Sequence, residues 1–403
     1  MEKTILASAR RTPFGRYLGG LAGLDPVELA VTACNAALGD AGIPAEAVDL
    51  LVAGNCFSMS LPTASVAGRQ LGLRLGIDRF SASVDTACCS PMTALRLADQ
   101  AIRLGEADVV LVAGMESMSR VPHLARGLRL GVKAGAVQLQ DPIFPIEYAG
   151  FAPVAVDAER GALRYGIDRA AMDAFAARSH RTWGEAVAAG RLAAELARVE
   201  IPGRKGPQIV DADEQPRPDT TAEALAGLKP IFGTASITAG NAPGLNDGAA
   251  AAILVSGRKA AEMGIRPLAA IEAAAGTTST PEGMSWVPAL ALRAALGRAG
   301  RTVSDLDLIE INEAFAAVPL VSLRVLADGD GALESRLHER TNVNGGAVAI
   351  GHPVGASGLR LVATLAHELA RRGGGLGAAA ICGGLAQGEA VLVRVQPGQR
   401  GGE

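Results

Sequence analysis

The sequence matches itself in two places, and this internal repeat restricts the possible folds. AALGDAGIPAEAVDLLVAGN at residues 36–55 aligns without gaps with AALGRAGRTVSDLDLIEINE at residues 294–313. A second match superimposes residues 95–97 on residues 359–361 and places Cys88 where His352 stands in the other copy. Two matches in the same order indicate a duplicated domain. The alternative, which they make less favoured, is chance similarity in an alanine-rich chain. Each copy is predicted to alternate helices and strands, which is typical of a mixed sheet with helices on its faces.

The segment between the two copies has a different character. It contains polar clusters such as GRKGPQ and DADEQPRPDTT, several prolines and one long helical pattern, at residues 168–198. The strand-like AAAILVS at residues 250–256 then resumes the first copy. We therefore predict an N-terminal half at residues 1–120 and 248–266, an inserted loop domain at residues 121–247, and a C-terminal half at residues 267–403.

Charge and cysteine content narrow the class of protein. The chain has 38 Lys and Arg against 41 Asp and Glu, a net charge of −3, and no polybasic run. Nucleic acids and anionic membranes are therefore not the expected partners. MEKTILASARRTPFG at the start lacks the apolar region of a secretory signal, so we predict a cytoplasmic protein. Five cysteines, without the paired spacing of metal ligands, predict free thiols and no metal site.

Cys88 is the candidate nucleophile. It lies where a short predicted strand meets a helix that is expected to begin near Ser90 and Pro91, since proline favours the first helical turn. Free N–H groups and the helix dipole favour a thiolate at such a position. The alternative is a small buried thiol, which is the interpretation we prefer for Cys34 and Cys56.

Three further residues have the chemistry that a nucleophilic cysteine requires. Such a cysteine needs a base, a stabiliser of negative charge and a proton donor. His352 is the candidate base, in a glycine-dense turn between an apolar strand-like run and an amphipathic helix at residues 359–369. Asn312 in DLIEINEAFAAV is a candidate for orienting a water, and Cys382, at the end of a predicted buried strand, is the candidate proton carrier.

Over essentially its whole length the chain resembles the thiolase family. The motifs that carry this resemblance are SARRTPFG at 8–15, GMESMS at 114–119, TAGNAPGLNDGAA at 238–250, NEAF at 312–315, NVNGGAVAIGHPVGASG at 342–358 and ICGG at 381–384. The resemblance implies an α/β thiolase fold, with two pseudo-symmetric αβαβα halves in five layers and an inserted loop domain. It also implies a homodimer or homotetramer.

The implied activity is acyl transfer of the acetyl-CoA acetyltransferase or 3-ketoacyl-CoA thiolase type. It is a ping-pong reaction, a reversible Claisen condensation of acyl-CoAs or thiolysis of 3-oxoacyl-CoA. Coenzyme A and acyl-CoA are substrates, and no covalently bound cofactor is implied. By the same resemblance Cys88 accepts the acyl group after His352 takes its proton, and Cys382 deprotonates the second acyl-CoA. Asn312, through a water, and His352 form one oxyanion site, and the N–H groups of Cys88 and Gly384 form the other.

Departures from the family pattern affect the expected substrate. Pro91 replaces a glycine after the nucleophile, and Leu385 and Ala386 stand where two more glycines are common. The residues predicted to border coenzyme A or the acyl group are Val154, in place of the methionine of an HMG motif, Pro243, in place of a serine, Trp286 and Arg217, the last near the adenine. We therefore predict an altered acyl pocket for longer, branched or functionalised chains.

Two other functions remain open from the sequence. DTAC before a helix also resembles a decarboxylating ketosynthase, although such an enzyme is not expected to keep Cys382. The altered glycines also fit a thiolase-like protein that binds acyl-CoA or lipid and has lost turnover. The presence of Cys88, Asn312, His352 and Cys382 together favours the active enzyme over both alternatives.

Overall fold

The computed structural model describes residues 2–204 and 206–398. The strands are β1 (Thr4–Arg11), β2 (Gly15–Arg16), β3 (Leu50–Gly54), β4 (Ser81–Val84), β5 (Val109–Ser117), β6 (Val199–Ile201), β7 (Gln208–Val210), β8 (Asn246–Ser256), β9 (Ala269–Thr278), β10 (Leu308–Ile311), β11 (Gly375–Gly383) and β12 (Gln387–Val395). The α-helices are α1 (Pro26–Ala41), α2 (Ala67–Arg74), α3 (Ser90–Leu104), α4 (Val154–Arg164), α5 (Arg169–Ala188), α6 (Ala222–Ala226), α7 (Gly257–Glu262), α8 (Val287–Ala299), α9 (Ala317–Ala327), α10 (Gly331–Arg340), α11 (Ala347–Ile350) and α12 (Val354–Arg371).

The strands of the two copies follow the same order outward from the middle of the sheet, as the duplication predicts. Its order is β10-β11-β12-β9-β1-β8-β5-β3-β4, so β9, β12, β11 and β10 correspond to β1, β8, β5 and β3. The two halves join where residues 4–6 of β1 pair antiparallel with residues 269–271 of β9. Strand β3 is parallel to β5, whereas β5 is antiparallel to β8, which makes the sheet mixed. The first self-match covers α1 with β3 and α8 with β10, and the second covers α3 and α12.

Helices α3 and α12 lie between the two halves of the sheet. They contact each other, and each contacts strands from both halves. Their apolar faces form a central core, which includes Leu95 and Leu361. Helix α1 covers the outer face of the first half, with Leu29 in a second core, and α8 covers the outer face of the second half, with Leu292 in a third. This arrangement confirms the predicted five-layered thiolase fold.

The intervening segment carries more helix than the sequence pattern predicted. Helix α5 begins after Asp168, whose side chain accepts a hydrogen bond from the N–H of Ala171, but it ends at Ala188 rather than near residue 198. Gly190, in the left-handed conformation at φ 68°, follows that end. Helix α4 was not predicted, because a helix of this length buries only a short apolar stripe, which includes Ala158 and Ala162.

A buried ion-pair cluster fastens the intervening segment to the first half. The guanidinium of Arg11 at the end of β1 is 2.6 Å from Asp213 and 2.7 Å from Glu195, and all three side chains are buried. Asp213 also accepts hydrogen bonds from the N–H of Phe14 and from the indole of Trp183. In the part of the chain that the structure describes, no helix is both long and apolar enough to cross a membrane.

Candidate active site

Cys88 lies in a tight turn between β4 and α3, as predicted. Ala87 adopts the left-handed conformation, φ 53°, and the hydroxyl of Ser90 donates to the Ala87 carbonyl while it accepts from the N–H of Thr86. Helix α3 begins at Ser90 with Pro91 in its first turn. Pro91 packs directly on Gly54 and Gly114, where any Cβ would overlap it. The proline that departs from the family pattern is thus accommodated by two glycines on neighbouring strands.

The expectation that the turn favours a thiolate at Cys88 was wrong for this site. Burial raises the pKa of the Cys88 thiol well above its ordinary value. The backbone hydrogen bond at Cys88 lowers the pKa, but its effect is smaller than that of burial. Cys88 also lies before the cap residue Cys89, outside the first helical turn, where the influence of the helix dipole is weaker. The resting sulfur is therefore protonated.

His352 lies between two helices rather than after a strand. The apolar run before it forms the short helix α11, so the predicted strand there was wrong, and α12 begins at Val354, earlier than predicted. The carboxylate of Glu313 accepts from the N–H of Val348 and thereby stabilises the helical turn. Gly351 has φ 96°, and a Cβ there would overlap the side chain of Asn246. Only glycine fits this approach, which lets Asn246 accept the N–H of His352 at 2.9 Å.

The hydrogen bonds of His352 fix which ring nitrogen is free. Nδ1 lies 2.6 Å from Oγ of Ser357, and that hydroxyl donates its own hydrogen to the carbonyl of Pro353 at 3.1 Å. With that hydrogen donated, Oγ accepts from Nδ1–H, and in this tautomer Nε2 carries no proton and has a lone pair that can accept a hydrogen bond. Burial, with the cation of Arg360, lowers the pKa of His352 to about 3. The imidazole is therefore neutral at rest.

Asn312 and Cys382 come from the C-terminal half. Asn312 contacts His352, and Cys382 lines the same cavity as His352. Asn312 follows β10, is fully buried, and holds Nδ2 3.4 Å from Nε2 of His352. Its Oδ1 is buried without a hydrogen-bond partner among the described residues. Cys382 lies near the end of β11 with 1% of its surface exposed, and burial raises its pKa to about 12. The Cys382 thiol is therefore neutral at rest.

Cys88, His352 and Cys382 all line one cavity of about 300 Å³. Gly384 also lines it, and so do the predicted contact residues Val154 and Pro243. Among the other described residues that line the cavity, only Tyr148 carries a polar side-chain group. The other apolar side chains that line the cavity are those of Met118, Ile143, Phe144, Pro145, Ile146, Ala155, Ile231, Phe232, Ala239, Ala242, Leu245, Met284, Ala314, Phe315 and Val354.

Trp286 and Arg217 do not line this cavity. The indole of Trp286 packs on Tyr165 at 5.7 Å between ring centroids, and its N–H donates to Ser279. Its neighbour Met284 reaches the cavity instead. Arg217 is exposed on the loop after β7, where its backbone N–H donates to His180. Their proposed contacts with an acyl-CoA stay predictions.

Sequence reasoning missed several residues that hold the site. The buried carboxylate of Glu116 accepts from the N–H groups of Cys56 and Phe57 after β3 and from that of Gly355 at the start of α12, and burial raises its pKa to about 8. Ser357 stands in the same motif as His352, so its place in the following helical turn was a usable signal. Tyr148 lies in an irregular loop without periodicity, where no local pattern could have placed it.

Comparison with known proteins agrees with this geometry. The family model for the thiolase N-terminal domain matches residues 4–258, and that for the thiolase C-terminal domain matches residues 265–395. A probable acetyl-CoA acetyltransferase of Mycolicibacterium smegmatis is 42% identical over 403 residues, which covers 97% of this chain and 100% of the relative. A mitochondrial 3-ketoacyl-CoA thiolase of Bos taurus is 37% identical over 402 residues and 98% of each chain. The solved structure of human mitochondrial 3-ketoacyl-CoA thiolase in complex with CoA superimposes with a TM-score of 0.92, at 37% identity over 98% of each chain. The chain therefore belongs to the thiolase family.

Proposed function

We propose that Cys88, His352 and Cys382 carry out the thiolase reaction of this chain, the reversible transfer of an acyl group between coenzyme A thioesters. The observation that carries this proposal is the convergence of the three side chains on one apolar cavity, with Asn312 against the imidazole. Each has a distinct task, because the reaction needs a nucleophile, a base and a second acid–base group.

In thiolysis the first step transfers the acyl group to Cys88. The thiol proton moves to Nε2 of His352 while the sulfur attacks C3 of a 3-oxoacyl-CoA. The C2–C3 bond then breaks, and its electron pair passes to C2 as the enolate of acetyl-CoA. Cys382 gives its proton to C2, so that acetyl-CoA leaves, and the site retains an acyl-Cys88, a Cys382 thiolate and a protonated His352.

The second step returns the site to its starting state. The Cys382 thiolate takes the proton of the coenzyme A thiol, and the coenzyme A sulfur attacks the acyl carbon on Cys88. The Cys88–carbon bond breaks, and the departing Cys88 sulfur recovers its proton from His352. The products are a shortened acyl-CoA and the resting thiols, and condensation follows the same steps in reverse.

Negative charge develops on the substrate oxygens in both steps. We assign one oxyanion site to Nε2 of His352 with a water held by Asn312, and the other to the N–H groups of Cys88 and Gly384. Such donors act strongly in a cavity with apolar walls, where removal of one costs about 3 kcal/mol of transition-state stabilisation in other enzymes. The buried amide of Asn312 supports its assignment, since it lies 3.4 Å from the imidazole.

The cavity supports an acyl group longer than acetyl or branched. Its walls are built from Ile143, Val154, Met284 and Phe315 among others, and no charged side chain lines it among the described residues. Apolar carbon chains gain about 0.8 kcal/mol per buried CH₂ in such surroundings. Arg217 lies on the exposed loop and is proposed to meet the charged adenine end of coenzyme A.

The organisation of the whole chain is a further part of this proposal. We propose that residues 121–247 act as the loop domain over a thiolase core formed by residues 1–120, 248–266 and 267–403. Leu128, Leu130 and Leu139 are exposed in this segment, which supports assembly as a homodimer or homotetramer. All five cysteines are free thiols, which supports a cytoplasmic, reducing location.

A substrate panel tests the function directly. Coenzyme A-dependent cleavage is measured for 3-oxoacyl-CoAs from acetoacetyl-CoA to 3-oxopalmitoyl-CoA, with Cys88→Ala and with Cys34→Ala as the control in a buried thiol of α1. We expect cleavage that peaks above acetoacetyl-CoA, that vanishes in Cys88→Ala and that persists in Cys34→Ala. A preference for acetoacetyl-CoA over every longer substrate would refute the proposed acyl class. Binding of acyl-CoA without any cleavage would favour a thiolase-like binding protein.

A further inference from the structure

Among the described residues that line the cavity, Tyr148 supplies the only side-chain hydroxyl. Apart from Cys88, His352 and Cys382, it is also the only side chain of that described lining that can donate a hydrogen bond. The ring is half-buried in the loop before α4. Within residues 2–204 and 206–398, the structure gives its Oη no hydrogen-bond partner. An unpaired hydroxyl in apolar surroundings is costly, so its acceptor is expected to come from a ligand or water.

The hydroxyl lies beside the residues that are proposed to bind the acyl oxygen. A Cβ on Gly384 would overlap Oη of Tyr148, so the hydroxyl rests directly on the Gly384 Cα. The same Cβ would lie 3.1 Å from the Cβ of Ala87, the residue before Cys88. Oη therefore lies against Gly384, on the side of that residue that also faces Ala87. Glycine at position 384 is what allows this approach.

The phenol is a donor under working conditions. Burial raises its pKa well above the ordinary value for tyrosine, and the nearby carboxylate of Asp85 raises it further. It consequently keeps its proton throughout the range in which the protein works. A protonated phenol with no partner can donate to any oxygen that a substrate brings beside Gly384.

We propose that Tyr148 is a further catalytic residue, whose hydroxyl donates a hydrogen bond to the carbonyl oxygen of the acyl group on Cys88. It acts as a third donor beside the N–H groups of Cys88 and Gly384. This inference rests on the proposed function, because the acyl group must first be transferred to Cys88. The acyl carbon chain extends from this oxygen into the apolar part of the cavity, where no comparable donor lies among the described lining residues.

Tyr148→Phe tests the proposal, since it removes one oxygen and keeps the ring. We expect kcat/KM for thiolysis to fall about tenfold to a hundredfold, less than for loss of a fixed oxyanion-hole donor in some enzymes. The infrared carbonyl band of the acyl-enzyme should move to higher frequency, because a lost hydrogen bond strengthens the C=O bond. Tyr165→Phe is the matched control, as its half-buried ring packs on Trp286 outside the cavity lining, and both values should stay unchanged.

The outcomes separate this inference from the proposed function. A wild-type protein without cleavage overturns the function itself. If the wild-type protein is active, two results overturn the role of Tyr148 alone. One is a kcat/KM of Tyr148→Phe within twofold of the wild-type value, and the other is a slowed Tyr148→Phe variant whose carbonyl band does not move. If Tyr148→Phe does not fold, replacement of Tyr148 by 3-fluorotyrosine provides the test, because the more acidic phenol should move the band to lower frequency. An unmoved band there overturns the hydrogen bond as well.

Discussion

Replacement of Ser357 by alanine removes the hydroxyl that accepts the Nδ1–H of His352. That hydrogen bond is 2.6 Å long, and Ser357 is completely buried on the first turns of α12. The methyl group of alanine cannot accept a hydrogen bond, so the Nδ1–H loses its partner. The imidazole then has a buried N–H without a partner, or it must move its proton to the other nitrogen.

The size of the effect follows from the tautomers of His352. A buried donor without a partner costs about 1–3 kcal/mol. If that cost falls on the form with Nδ1 protonated, the form with Nε2 protonated gains by the same amount, and it cannot accept the Cys88 proton. Each 1.4 kcal/mol is about a factor of ten in an equilibrium constant, so the ratio of the competent form to the other form falls by about tenfold to a hundredfold. We expect kcat/KM to fall by up to this factor in Ser357→Ala.

Thiolysis kinetics and thermal unfolding together test this expectation. Ser322→Ala is the matched control, because Ser322 is also fully buried on a helix and donates to the carbonyl of Ser285 at 2.9 Å, outside the cavity lining. Both variants should lose some stability, but only Ser357→Ala should lose activity. If Ser357→Ala keeps more than half of the wild-type kcat/KM, the tautomer argument is refuted.

Three further outcomes are expected. Alkylation of Cys88 by iodoacetamide should still accelerate above about pH 9, since burial raises its thiol pKa above the ordinary value, and a plateau near neutral pH would contradict this. Val154→Phe should lower kcat/KM for long 3-oxoacyl-CoAs more than for acetoacetyl-CoA, whereas Leu163→Phe on the exposed face of α4 should change neither, and equal losses would exclude a role in chain length. Arg11→Ala should lower the free energy of unfolding in denaturant by about 3–5 kcal/mol, because it strands two buried carboxylates. Arg10→Ala, which loses a more exposed pair with a carboxylate, should cost far less, and similar losses would contradict the argument.

The duplication in the sequence predicted two equivalent units of alternating helices and strands in a mixed sheet, whereas the five layers were implied by the resemblance to the thiolase family. Residues 36–55 and 294–313 each span a helix end and the next strand, and equal spacing in both copies requires equal local structure. The offset that pairs Cys88 with His352 also placed both before a central helix, α3 or α12. These features depend on local patterns, which a single sequence records.

The features that could not be predicted depend on contacts between distant segments. The helical turn of α11 is stabilised by Glu313, and the ring nitrogen of His352 is fixed by Ser357, although the run before it is apolar enough for a strand. The resting proton of Cys88 depends on burial by several elements, which outweighs the local effect of a helix start. Tyr148 enters the cavity from a loop whose path only tertiary packing sets.

The ionisation of the side chains that line the cavity explains how the Cys88 thiol stays unreactive at rest. Burial raises the pKa of the thiols of Cys88 and Cys382 and lowers the pKa of the imidazole of His352, so transfer of the Cys88 proton to Nε2 is unfavourable at rest. The transfer becomes favourable only when the sulfur forms a bond to a carbonyl carbon and the negative charge moves to an oxygen within reach of fixed donors. A bound thioester presents such a carbonyl, whereas a diffusing electrophile meets a neutral thiol in an apolar cavity. In the proposed mechanism, selectivity for acyl-CoA therefore arises from the energy of proton transfer as well as from the shape of the site.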